Sequence, residues 1–275
     1  MKTPIQSFSA ALPALAAMLC GAPAAGAQNG ASPAPVPATD DLALRDASVN
    51  YREATGTLSF EQRVAGTAGA TKPETPGFVR ELPSLHWEDV SARGRFDKAA
   101  VLAYVFPTTL GPEDVGFGKT DGILALAATS HPVFDDTPLW DENADGRYDN
   151  DAAVYHAHWV VLIRDERADG GFAVKPLGGK KPGNALPPTA PGMPIYLDSP
   201  GFQVMAEGKR IRIIVPESRV RGNTDFQFDA LTAYLETNTS DPSRPVLGVY
   251  KIYDVLGGGL DLDRNIAKQA HDDGG

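Results

Sequence analysis

The chain has 275 residues, with 35 acidic against 25 basic side chains for a formal net charge of −10, and a single cysteine. The acid excess argues against nucleic acid or an anionic membrane surface as the main partner, and one cysteine excludes both an internal disulfide and a cysteine-rich metal cluster. No apolar run reaches the roughly 18 residues that a spanning helix needs, while 42% hydrophobic residues supply a sizeable core.

The first 27 residues read as an export signal. Lys2 gives a short positive start, Ala10 to Leu19 is apolar, and Ala25-Gly26-Ala27 is a small-x-small cleavage site before Gln28. The expected location is therefore periplasmic or secreted. Cys20 falls inside the signal peptide, so the exported domain has no cysteine and must draw stability from a large core or from bound ions. Residues 28–40 are rich in Pro and Ala without an apolar period, and read as a flexible leader.

From residue 41 to 256 period-two alternation dominates. Residues 42–53 and 57–65, separated by Thr55-Gly56, form a predicted hairpin. Phe96 to Phe106 and Gly122 to Ser130 are apolar runs of strand length. Between them residues 107–121, with two prolines and three glycines, form a long connection.

His131 stands at the end of the 122–130 strand, and an acidic loop follows. Residues 141–151 read DENADGRYDND, in which Asp141, Asn143, Asp145, Gly146 and Asp149 fit D-x-N-x-D-G-x-x-D. A hard cation such as calcium takes six to eight oxygens. Oxygens two residues apart on a tightly turning loop point to one centre. Gly146 permits the turn that brings round the backbone carbonyl of Arg147, and Asp149 and Asp151 complete the candidate ligands. The loop resembles the calcium loops of EF-hands, dockerins and integrin-type propeller blades over about a dozen residues. Ala152 stands where an EF-hand has its bidentate Glu, and no helical pattern flanks the loop. The resemblance therefore implies a strand-borne calcium site, with the ion as a staple rather than a switch. Asp135, Asp136 and Glu142 lie close enough in sequence to serve a second ion.

Ala153 to Ile163 is the most strongly β-forming segment. His156 and His158 lie two apart on it, so both imidazoles point to one face. They are a two-nitrogen start for zinc or copper, with His131, His86 or a loop carboxylate as further ligand. The same face carries Val154, Val160 and Leu162, which leaves open hydrogen-bonded core histidines or outer support for the calcium loop. Trp159 and Tyr155 fall on the other face, as core.

Residues 176–200 carry seven prolines and read as an irregular excursion. Gly201 to Ala206 and Arg210 to Pro216 flank Glu207-Gly208-Lys209 as a second hairpin, and Phe226 to Thr237 and Val246 to Val255 close the set. About nine strands with turns between them favour an all-β fold, an antiparallel β-sandwich (jelly-roll or Ig-like) with long loop insertions, over α/β. Residues 257–275 read as a polar tail containing a short helix from Leu260 to Ala270.

The strand order, with Ile211 to Pro216 followed by Phe228-Asp229-Ala230, resembles the β-sandwiches of the DOMON and family 9 carbohydrate-binding group. That resemblance implies a sugar- or haem-binding module and transfers no site residue. Three functions follow: an exported calcium-binding β-sandwich with a structural or ligand-binding role; a periplasmic metalloprotein with a zinc or copper site on His131, His156 and His158; or a carbohydrate- or haem-binding module. Sequence motifs for serine hydrolysis, zinc proteolysis and nucleotide binding are absent. Whether the chain is an enzyme stays open.

Overall fold

The computed structural model describes residues 35–74, 97–132, 134–148 and 151–269. The predicted signal peptide, most of the leader, His86, Asp149 and His271 lie outside the described residues.

A five-stranded sheet begins with the predicted hairpin. β1 (Leu44–Arg52) and β2 (Thr57–Val64) pair antiparallel across a tight turn closed by Gly56 at φ 57°. β2 also pairs with β9 (Arg210–Pro216), and β9 with β8 (Val204–Glu207). Alternation decides which face is buried: Leu58, Phe60 and Gln62 on β2, and Ile211, Ile213 and Val215 on β9, all turn inward. Leu260 to Gln269, the described part of the predicted short helix Leu260 to Ala270, is not helical. It contains β13 (Arg264–Asn265) and β14 (Ala267–Gln269), which pair with β10 (Gln227–Phe228) and, in parallel, with β1.

The other strands correct the predicted sandwich. β3 (Ala100–Pro107), β4 (Ile123–Ser130), β5 (His156–Arg164), β6 (Phe172–Val174), β11 (Leu231–Thr237) and β12 (Leu247–Val255) are hydrogen-bonded in the order β4-β3-β11-β12-β6-β5. β5 then pairs back to β4 from Ile123↔Leu162 to Thr129↔His156, which closes the ring. A sandwich leaves the edges of two facing sheets free; here six strands form a barrel with no free edge. β7 (Leu197–Asp198), from the proline-rich excursion, adds onto the flank of β5.

Both faces of the barrel wall are buried, which explains why β3, β4 and β5 read as near-continuous apolar runs. The outer face carries Leu102, Tyr104, Phe106, Leu124, Leu126 and Trp159, packed with Leu58, Phe60, Ile211 and Ile213 of the sheet. Phe60 meets Phe106 edge-on at 5.4 Å and Trp159 at 6.3 Å between ring centroids. The inner face carries Val101, Ala103, Val105, Ala125, Ala127, Val160, Leu162, Ala233 and Leu235. About eight strands are needed before side chains comfortably fill a barrel. A six-stranded ring is narrower, and four of its inward side chains are alanines. Gln62 joins the two layers. Its amide donates to the carbonyls of Val105 (2.9 Å) and Leu231 (3.4 Å), residues that face each other on β3 and β11.

Candidate metal centre

The residues at one end of the barrel follow from strand parity. His156 and His158 are the first and third residues of β5, and both turn to the inner face with Val160 and Leu162. Register sets them opposite Thr129 and Ala127 of β4. His131 follows the last residue of β4 and is held by its backbone N–H to the Ala152 carbonyl (2.8 Å). From there the chain folds across the barrel end. Asp135 Oδ1 accepts the Thr137 N–H (2.8 Å) in a tight turn that points Asp136 inward. Trp140 anchors the far side of this loop, its indole N–H donating to the Ser199 carbonyl (2.8 Å). Its ring lies against Gly201, at φ 68°, where a Cβ would stand 2.3 Å from ring carbons.

The result is a buried group of three imidazoles and one carboxylate. His131, Asp136, His156 and His158 are each at most 3% exposed. His131 Nε2 lies 2.9 Å from His156 Nε2 and 3.1 Å from Asp136 Oδ1. Asp136 Oδ1 is 3.2 Å from His156 Nε2, and Asp136 Oδ2 is 3.4 Å from His158 Nε2. One ligand atom from each of the four lies within 4.8 Å of every other, so the group could hold a metal ion. Among the described residues no other three His, Cys, Asp or Glu side chains are gathered in this way.

The second nitrogen of each ring fixes the tautomer. His131 Nδ1 is 3.0 Å from the Phe134 carbonyl and His156 Nδ1 is 2.8 Å from the Val154 carbonyl. His158 Nδ1 is 3.1 Å from Ser199 Oγ, whose own hydroxyl donates to the Asp136 carbonyl, and 3.3 Å from the Asp198 carbonyl. Carbonyls only accept, so Nδ1 carries the hydrogen in all three rings. In neutral rings every Nε2 then presents a lone pair to the centre. His156 Nε2 has one local donor in reach, the Thr129 hydroxyl at 3.2 Å. Asp136 Oδ1 and His158 Nε2 make no hydrogen bond although both are buried. Burial works against ionising Asp136; the charge that His131 and His158 carry when protonated outweighs it and holds the carboxyl well below the usual range, and with the rings neutral that countercharge has to come from another cation. Converging lone pairs and a buried anion call for a central cation.

The acidic loop is placed differently. Asn143, Asp145 and Arg147 are exposed, Asp141 is half-buried and Asp151 is fully buried. Asp141 accepts the N–H groups of Asp145 (3.1 Å) and Gly146 (2.8 Å), Asn143 accepts that of Asp145, and Asp145 accepts that of Arg147. Gly146 takes φ 84°, as the sequence requires of it. Asp151 ties the loop to the metal-centre loop: Oδ1 accepts the Asn143 N–H (3.2 Å), while its own N–H reaches Asp135 Oδ2 (3.4 Å). The described aspartates of the loop, Asp141, Asp145 and Asp151, are not gathered as the histidine group is.

Asp136 is the residue that sequence reasoning misplaced, by setting it beside Asp135 and Glu142 as a second calcium site. Its five-residue distance from His131 was the available signal. Ser199 carried none. Comparison with protein-family models, with curated proteins and with solved structures gives no match.

Proposed function

We propose that the chain is an exported metalloprotein whose three-histidine, one-aspartate centre holds zinc. One observation carries this reading: three imidazoles, each with its Nδ1 committed to an acceptor, turn their Nε2 lone pairs onto one buried carboxylate. Outer hydrogen bonds of this kind orient metal-bound histidines. Three nitrogens and one oxygen, without sulfur, suit a borderline cation. A tetrahedral ion with bonds of about 2.0–2.1 Å has ligand edges of about 3.3 Å, and four of the separations here lie at 2.9–3.4 Å, with the whole set within 4.8 Å. Export is supported by Lys2, the apolar Ala10 to Leu19 and the Ala25-Gly26-Ala27 site.

Metal analysis of the purified protein, followed by titration of the stripped protein with zinc and copper, tests the reading. One zinc per chain is expected, lost in the His156→Ala, His158→Ala double variant. A double variant that keeps its metal refutes the site.

A second reading concerns the acidic loop, as a structural calcium site. It is supported by the pre-wound turn around Gly146 and by Asp151 Oδ2, which is buried without a hydrogen bond. Burial pushes the Asp151 carboxyl up, the direction a bound cation reverses. A calcium-dependent rise in melting temperature, absent in Asp145→Ala, is the expected result. The carbohydrate- or haem-binding expectation rested on a β-sandwich, and the closed barrel removes that ground.

A further inference from the structure

Behind the metal centre lies the interior of the barrel. Thr129, His131, Asp136 and His158 form one end of a cavity of about 70 Å³ that runs down the inner face of the ring. Its walls are apolar, and the inward Ala103, Ala127 and Ala233 leave the space that larger side chains would fill. The far end is ringed by half-buried Ile123, Phe172, Ile252, Leu260 and Leu262. From Thr129 to Ile123 the lumen follows six residues of β4, roughly 20 Å at about 3.3 Å per residue.

A ring built only for stability fills its interior. This one keeps an apolar channel whose floor is three of the four metal ligands. A zinc ion with one carboxylate and three neutral imidazoles carries a net positive charge, and zinc expands from four to five ligands. The lumen borders three of the four ligands, so a fifth ligand would enter from that side. An incoming ligand must therefore join an anionic oxygen head to a slender apolar body. Space for about two waters' worth of volume limits that body to a few carbons.

We propose that the lumen binds a short-chain monocarboxylate, its head on the metal and its chain among the alanines. This rests on the zinc reading of the centre. The acetate, propionate, butyrate and hexanoate series, titrated calorimetrically into zinc-loaded and metal-free protein, is the test. Affinity for the loaded protein should rise about fourfold per added methylene until the lumen is full, then stop rising. Butyramide, without the charge, should bind at least tenfold more weakly than butyrate.

Ala127→Leu should abolish butyrate binding while one zinc per chain remains. Should that variant not fold, Ala103→Val should weaken butyrate and spare acetate. Chain-length-independent binding, equal binding without zinc, or unchanged butyrate affinity in a folded lumen variant overturns the proposal. Failure to bind zinc at all is instead a failure of the metal centre itself, and the metal titration that precedes the series detects it.

Discussion

The histidine cluster and the acidic loop are neighbours in sequence and opposites in physics. Each concentrates groups that bind cations. The loop lies largely in water, and the carboxylates of Asp141 and Asp145 are already answered by the backbone N–H groups of residues 145–147. The cluster is buried, and its inner lone pairs have almost nothing to accept from. An exposed anion without a partner costs little, whereas a buried one costs several kcal/mol. Burial, more than the density of ligand residues, marks the stronger demand for an ion.

Removing a ligand gives the largest test of that contrast. Taking away one partner of a buried charge costs about 3–5 kcal/mol, or two to four powers of ten in affinity. His158→Ala should lose that much zinc affinity in competition with a chromophoric chelator, and Asp145→Ala should lose none. Equal losses would show the two regions to be one site.

Ser199→Ala probes the support of the cluster. Ser199 Oγ takes the His158 N–H and donates to the Asp136 backbone, so it sets both ligands at once. A loss of about 10–100-fold in zinc affinity is expected, with one site per chain retained.

Calcium should act on the loop alone. At a hundredfold excess over its dissociation constant a ligand adds about 2.7 kcal/mol, a rise of about 5–10 °C in melting temperature for a domain of this size. Differential scanning calorimetry with zinc held constant should show that rise in the wild type and none in Asp145→Ala. A rise that survives the substitution places calcium elsewhere.

The smallest effect lies away from both regions, at buried Asp41. Burial pushes its carboxyl up, but the Thr39 and Thr71 hydroxyls and the Thr71 N–H outweigh this and hold it below the usual range. A lowered carboxylate stabilises the fold above its unfolded value near 3.8, and that contribution fades as pH falls through the folded value. Asp41→Asn should therefore cost about 1 kcal/mol at pH 7 in denaturant melts, and nearly nothing in strong acid. A penalty independent of pH would assign the effect to packing.

Much of this was legible in the sequence. Period two, apolar runs and β-forming residues located every long strand, and strand parity set His156 and His158 on one face with Trp159 on the other. Closure of the barrel was not legible. It depends on the register of β4 against β5, and an apolar run buried on both faces reads the same in a sandwich and in a ring. β6, β7, β10 and β13 have two or three residues each, too few to show a period. Leu260 to Ala270 was misread because its strands form only by pairing with residues far away in the chain. Asp136 was obscured by a neighbouring acidic loop that offered a simpler use for it.

The pairing of β14 with β1 has a consequence for how the protein meets other molecules. β14 is three residues long, fully exposed, and carries Lys268. It is a short, charged border strand, of the kind that discourages further pairing. It covers Asn50 to Arg52 of the nine-residue β1, and a chain cut after residue 256 would leave these three residues without that partner. The segment that reads as a tail thus shields one end of β1 from pairing between molecules.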